Sequence, residues 1–151
     1  MSFEVGDISL YKPKNKVDMI ITLHACDTAT DAALYHAIKL KSKYILSVPC
    51  CQHQINSEIT KNTLPLMNKY GLLKERFSSL LTDSIRANIL EYYGYKVNVM
   101  EFIDFLHSPK NVLIKGVLTN NKPNEELKKQ IKDLLDEYHI HHALYDMCFN
   151  A

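Results

Sequence analysis

Glycine is scarce in this chain: Gly6, Gly71, Gly94 and Gly116 are the four in 151 residues, and no two lie close together. A glycine-rich turn after a strand is therefore excluded anywhere along it. Charge of one sign is lacking too, since 18 Lys and Arg meet 17 Asp and Glu for a net +1. No strong global field draws the chain to nucleic acid or to an acidic membrane, although a nucleic-acid substrate stays open. The sequence shows no secretory leader and no apolar run long enough to span a bilayer. Internal repeats and low-complexity stretches are missing as well. What remains, 46% hydrophobic and 23% charged residues, is the composition of one globular domain able to bury a core.

Cysteine is sparse but oddly placed: Cys26, Cys50, Cys51 and Cys148, two of them neighbours. The pattern points to a reduced, cytoplasmic protein whose thiols are buried or functional rather than bridged.

Hydrophobic patterning predicts the elements. Residues 17–23 (VDMIITL) and 43–48 (KYILSV) are nearly continuous apolar runs, the mark of strands buried on both faces of a parallel sheet. Between them residues 28–41 read as a helix, with Thr28 and Asp31 resembling a capping box and Ala29, Ala33, Ala37 and Ile38 as the apolar stripe. A helix is expected over 55–69. A longer one is expected over 74–93, where Phe77, Leu81, Ile85, Ile89 and Tyr93 fall at steps of four and Gly94 takes the left-handed cap. Strands follow at 95–103, with Val97, Val99 and Ile103 on one face, and at 112–118. The short link through His107, Ser108, Pro109 and Lys110 makes them antiparallel. An amphipathic helix closes the pattern at 123–138, with Leu127, Ile131, Leu134, Leu135 and Tyr138 inward. The order, β-α-β-α-α-β-β-α, is an α/β fold with a mixed sheet. The tail 139–151 carries no assignable pattern.

Ligands of open parallel sheets bind beyond the carboxyl ends of the strands. Here the first apolar strand runs into His24-Ala25-Cys26-Asp27 and the second into Pro49-Cys50-Cys51-Gln52-His53. If the two strands are neighbours, imidazole, thiol and carboxylate groups share one rim. Structural roles compete at each position. The vicinal cysteines can be small core filler, and Asp27 can cap the following helix. Asp83 and Arg86 can simply pair at i,i+3. A zinc site is disfavoured, because His24-x-Cys26 and Cys50-Cys51-x-His53 do not match the usual C-x₂-C and H-x₃₋₅-H spacings. His139, His141 and His142, with Cys148, read as surface residues. Lys12, Lys14, Lys16, Lys39, Lys41 and Lys43 all precede the two strands, on the opposite rim, and form a solvated face.

The stretches VDMIITLHACDTATDAALYHAIKLKSKYILSVPCCQHQIN and LKERFSSLLTDSIRANILEYYGYKVNVMEFIDFLHSPKNVLIKGV resemble the bacterial branch of a class I S-adenosylmethionine-dependent methyltransferase family that includes vertebrate methyltransferase-like proteins. The motifs LHACDTATD and VPCCQH carry the likeness, which runs from about Phe3 to Leu118. The tRNA ribose 2′-O-methylating enzymes are more distantly similar. The resemblance implies the C-terminal half of a Rossmann-like, seven-stranded domain with the cofactor-gripping N-terminal half absent. It implies a cofactor contact at Asp7, Ile8, Leu23, His24 and Ala25, and a catalytic or orienting set of His24, Cys26, Asp27, Cys51 and His53. Asp31, Cys50 and Arg86 fall on the substrate side, with no metal. RNA is the expected methyl acceptor. With the first strands of the family fold missing, strand 17–23 becomes an apolar edge that invites a homodimer, or a partner supplying the missing half. A non-catalytic partner-binding module, or a thiol or zinc protein built on Cys26, Cys50 and Cys51, are the competing functions.

Overall fold

The computed structural model describes residues 5–11, 13, 15–60, 64–103, 111–119 and 121–150. Phe3, Lys12, Lys14, residues 61–63 of the expected 55–69 helix and the link through His107, Ser108, Pro109 and Lys110 lie outside them.

Both apolar runs form strands. β1 (Met19–Leu23) and β2 (Tyr44–Val48) pair in parallel, in register from Met19 opposite Tyr44 to Leu23 opposite Val48. β2 continues antiparallel onto β4 (Val112–Leu118), and β4 onto β3 (Tyr95–Glu101), so the four-stranded mixed sheet has the order β1-β2-β4-β3. The element joining β1 to β2 is α1 (Thr28–Leu40), and α4 (Gly71–Tyr92) leads into β3. Gly94 takes the positive φ of 86° that frees the chain to turn from α4 into that strand.

Period-four packing organises the core. Leu81, Ile85 and Ile89 of α4 are buried against Leu34 and Ala37 of α1 and against Ile45 and Ile114 of the sheet, and Phe77 and Tyr93 pack beside them. Ile45, Ser47, Ile114 and Gly116 share this inner face by register. Thr22 adds a buried hydroxyl pair to it, its Oγ1 2.8 Å from Ser47 Oγ. α5 (Glu125–Tyr138) buries Ile131 and Leu135, with Asn124 Oδ1 accepting from the Glu126 and Leu127 amides as its cap.

One close approach locks the sheet to α1. A Cβ on Gly116 would lie 3.3 Å from Tyr95 Cδ1 and 3.4 Å from Ile45 Cβ. The bare strand lets the Tyr95 ring lie against it. The ring's hydroxyl then reaches the carbonyls of Ala37 (3.0 Å) and Ser42 (2.9 Å), at the turn between α1 and β2.

Five expectations change. Strand β1 is not buried on both faces: Met19, Ile21 and Leu23 point to the face opposite α1 and α4, and Ile21 and Leu23 are 56% and 64% exposed. The apolar run is continuous, but helices cover only its other side. The strand expected over 95–103 ends at Glu101, so Ile103 lies beyond β3, and Val99 near its end is exposed. The helix expected over 55–69 is two short pieces, α2 (His53–Glu58) and α3 (Pro65–Asn68), the second opened by Pro65 at its first turn. Thr28 and Asp31 do not form a capping box: Asp27 holds the N-cap position of α1 without a side-chain bond, and Asp31 turns inward to Arg86. Finally, the tail is ordered. A short turn, α6 (Ala143–Tyr145), runs into a π-turn at Asp146–Asn150. His142 before it is 1% exposed, and Cys148 is half-buried, its carbonyl accepting from the Tyr93 hydroxyl. Leu144 and Tyr145 bury against the core and draw His142 in, so the tail histidines are not all surface groups.

No helix among the described residues is long and apolar enough to cross a membrane.

Candidate functional site

The parallel pairing continues past the strand ends. The His24 amide donates to the Val48 carbonyl (3.2 Å) and the Asp27 amide to the Cys51 carbonyl (3.2 Å). These two bonds hold the segments 24–27 and 49–53 together on the carboxyl rim of β1 and β2, as the sheet rule requires.

The turn after β1 is sharp. His24 and Asp27 both have positive φ, 54° and 51°, and Asp27 combines this with a ψ of −122°. That pair of angles belongs to the first central residue of a type II′ turn, where glycine predominates. A carboxylate is carried there at a conformational cost. The side chain serves a neighbouring element rather than its own helix: Oδ1 accepts from the backbone N–H of Gln54, 3.3 Å away in the first turn of α2. Asp27 thus joins the β1 loop to the β2 loop. Thr30 Oγ1 donates to the Ala25 carbonyl and closes the same turn.

Three sulfurs converge beside this carboxylate. Cys26 Sγ lies 3.4 Å from Cys50 Sγ, and Cys50 Sγ lies 3.7 Å from Cys51 Sγ. All three fall within 4.8 Å of one another, and neither imidazole nitrogen set joins them. The exposed Cys26 thiol is held below its ordinary value, chiefly by the hydrogen bond from Cys51 and then that from Cys50. Burial pushes the Cys50 thiol up to about 12 and raises Cys51 as well. Any thiolate of the cluster forms first on Cys26. His24 and His53 stand on the same rim with exposed side chains.

Beneath the rim lies an ionic network. Arg86 is fully buried and forks onto Asp31, with Nε to Oδ1 and Nη2 to Oδ2 both 2.8 Å. Its Nη1 donates to Asp83 Oδ1 (3.0 Å), the pairing foreseen from their spacing, and Nη2 also reaches the Asp27 carbonyl (2.9 Å). Gln52 Nε2 completes the set with a 3.4 Å bond to Asp83 Oδ2. Burial alone would lower Arg86, but the hydrogen bonds and charge of Asp31, then Asp83, outweigh it and hold the guanidinium above its ordinary value. Burial raises the Asp83 carboxyl against the opposing pull of Arg86. Asp31 and Arg86, expected on the substrate side, are thus 2% and 0% exposed and sit under the rim rather than on it.

Next to Pro49 on the same rim, a groove of about 390 Å³ opens between α4 and the β3–β4 hairpin, with Arg76, Ser79, Asp83 and Asn111 among its walls. Sequence reading missed Arg76 and Asn111, whose only signal was their position on α4 and beside β4. It also missed Gln54, whose backbone binds Asp27 and whose side chain accepts from the Ala143 amide (3.2 Å), and the buried His142.

The remaining expected residues lie apart from the thiols. Asp7 and Ile8 precede β1 at a short 3₁₀ turn, Ile8–Leu10, whose Ile8 carbonyl lies 2.8 Å from His36 Nε2 of α1. Leu23 ends β1 with an exposed side chain, and Ala25 is half-buried.

No solved structure matches this chain. Among curated proteins it is similar to the Glutathione S-transferase C-terminal domain-containing protein of Homo sapiens and that of Macaca fascicularis, each 31% identical over 124 residues. The Bos taurus protein of the same name is 29% identical over 124 residues. Each alignment covers 64% of this chain and 19% of the relative, so the chain spans about a fifth of the length of the curated relatives it matches. A family described as "Methyltransferase domain" matches residues 1–58, which hold β1, α1, β2, α2 and both rim segments, and this match supports a methyltransferase domain.

Proposed function

We propose that this chain is the C-terminal part of a Rossmann-like, S-adenosylmethionine-dependent methyltransferase, with methyl transfer at the rim formed by residues 24–27 and 49–53. The observation that carries the reading is the parallel register of β1 and β2, which brings both rim segments to one edge of the sheet. Methyl transfer by in-line displacement asks a protein mainly to position two partners and to take up a proton. Asp27, His24 and His53 are the candidate bases or orienting groups, and Cys26 and Cys51 shape the pocket. Asp31 and Arg86 act from below as positioning residues, since Arg86 holds the Asp27 carbonyl.

The residues fit the cofactor only in part. Leu23, His24 and Ala25 offer an apolar and polar edge at the strand end, and Asp7 and Ile8 a second one beside α1. No glycine-rich turn is present to cradle the methionine end. No chemical step is therefore assigned to the cofactor on this chain, and the isolated chain is expected to hold it weakly. The rest of the grip would come from a further segment or a partner.

RNA is the proposed acceptor. The distant likeness to tRNA-methylating enzymes supports it; the adjoining groove, where Glu75, Asp83 and Glu101 stand beside Arg76, adds no phosphate site. The test is transfer of label from S-adenosylmethionine to tRNA by the protein purified from its native source, beside a His53→Ala variant prepared identically. Labelled RNA, with a large loss in the variant, supports the reading. Full transfer by His53→Ala removes that residue, and label confined to protein removes RNA.

The open edge of β1 favours a second reading, a partner-binding half-domain. Among the described residues β1 pairs only with β2, and its outer face carries exposed Met19, Ile21 and Leu23. A second copy, or a subunit bearing the glycine-rich turn, would cover both. Recovery of such a subunit with the native protein favours this reading over catalysis by the chain itself.

A further inference from the structure

The three sulfurs on the rim have no role in positioning a methyl group that requires all of them. Their arrangement has its own logic. Side chains of adjacent residues in a strand point to opposite faces. Cys50 and Cys51 lie beyond the end of β2 at Val48, in irregular backbone, and their sulfurs turn to the same side, 3.7 Å apart. Cys26 arrives from the other strand end and closes the triangle at 3.4 Å from Cys50.

We propose that Cys26, Cys50 and Cys51 form a three-thiolate site for a soft cation, zinc, with the fourth coordination position open to solvent. Zinc–sulfur bonds of about 2.3 Å in a tetrahedron place sulfurs about 3.8 Å apart. The observed separations of 3.4 and 3.7 Å, with all three within 4.8 Å, reach that triangle by small side-chain rotations. The donor set is sulfur alone, which selects zinc or Cu(I) over magnesium and calcium. The nearest carboxylate, Asp27, is already engaged by the Gln54 amide. Cys26 is exposed and gives the ion a way in. Three protein ligands leave a position for water or an added ligand, the pattern of reactive rather than structural zinc.

Binding displaces the thiol protons, so affinity rises with pH. The spacing argument against zinc applies to ligands drawn from a single loop. Here two strand ends supply them, and sequence distance says nothing about their separation.

The test is a titration of the reduced chain, kept free of oxygen, with zinc chloride against a chromophoric chelator. The expected result is about one tightly held zinc per chain, retained in Cys148→Ser. Cys26→Ser and Cys50→Ser should each weaken binding by more than about tenfold while far-ultraviolet circular dichroism stays unchanged. Cobalt should give a sulfur-to-metal charge-transfer band that both variants diminish. Zinc held equally by the wild type and a Cys26→Ser/Cys50→Ser/Cys51→Ser variant, as histidine binding in the tail would give, overturns the site. So does a reduced chain that takes no zinc and only forms a Cys26–Cys50 disulfide in air. None of these outcomes depends on methyl transfer.

Discussion

Arg86 of α4 and Asp31 of α1, 55 residues apart in sequence, meet in a two-pronged ion pair with 2.8 Å arms and no exposure of the guanidinium. The pair joins the two helices under the rim, and a third bond from Arg86 holds the Asp27 carbonyl. Removing one partner of a buried pair leaves an uncompensated charge, which costs about 3–5 kcal/mol.

Arg86→Ala should therefore be the most damaging single change in the network, because it strands both Asp31 and Asp83. Asp31→Ala should cost less, since Arg86 keeps Asp83 at 3.0 Å. Urea unfolding of the two variants checks the order. Equal midpoints would mean that the Asp83 contact adds nothing.

The backbone at Asp27 gives a different ordering. Its φ of 51° with ψ of −122° suits glycine, and a side chain there stores about 1–3 kcal/mol. Asp27→Ala loses the bond to Gln54 and keeps the strain, whereas Asp27→Gly loses the bond and relieves it. The glycine variant should be the more stable by about 1 kcal/mol, the reverse of the ordinary effect of glycine. Thermal unfolding of the pair decides it, and if the carboxylate serves methyl transfer both variants should be equally inactive.

His142 sets an acid limit. It is buried with Nδ1 unpartnered and Nε2 3.4 Å from the Thr82 carbonyl. Burial lowers its pKa from the ordinary 6.5, with Asp31 and Asp146 pulling upward and Arg86 downward. A group depressed in the folded state contributes stability that is present above the unfolded pKa and lost as pH falls through the folded one. Stability should thus decline as pH drops below 6.5, by up to one proton's worth of slope. His142→Gln should flatten that part of the curve. An unchanged slope in the variant would assign the proton elsewhere.

The exposed edge predicts self-association. Ile21 is 56% exposed on the outer face of β1. Covering a side chain of this kind is worth about 1.5–3 kcal/mol, so Ile21→Lys should raise the dissociation constant of any dimer about ten- to a hundredfold. Sedimentation velocity at several concentrations reads this. A wild-type chain that stays monomeric throughout removes β1 as a docking edge for a second copy.

Most of the fold was legible because its signals are local. The step-four row from Phe77 to Tyr93 marks the buried face of α4, and the 112–118 strand falls where its pattern placed it. Gly94 marks the turn into β3. Signals fail where a distant partner decides. Asp31 reads as a cap because Thr28 stands three residues before it, yet Arg86 claims its carboxylate. His142 reads as one of several tail histidines, and only the burial of Leu144 and Tyr145 beside it shows why it is covered. The rim was visible as two motifs, but the meeting of three sulfurs depends on how the chain turns after Val48, which no spacing rule encodes.

The contact at Gly116 ties events that look separate. A methyl group there would meet the Tyr95 ring at 3.3 Å and Ile45 Cβ at 3.4 Å, so the ring must shift slightly, and its hydroxyl's bonds to Ala37 and Ser42 shift with it. The strand that carries Tyr95 and the turn that launches β2 are thus coupled through one ring. A single added carbon on β4 would therefore be felt at Ile45 of β2, the strand that delivers Cys50, Cys51 and His53 to the rim.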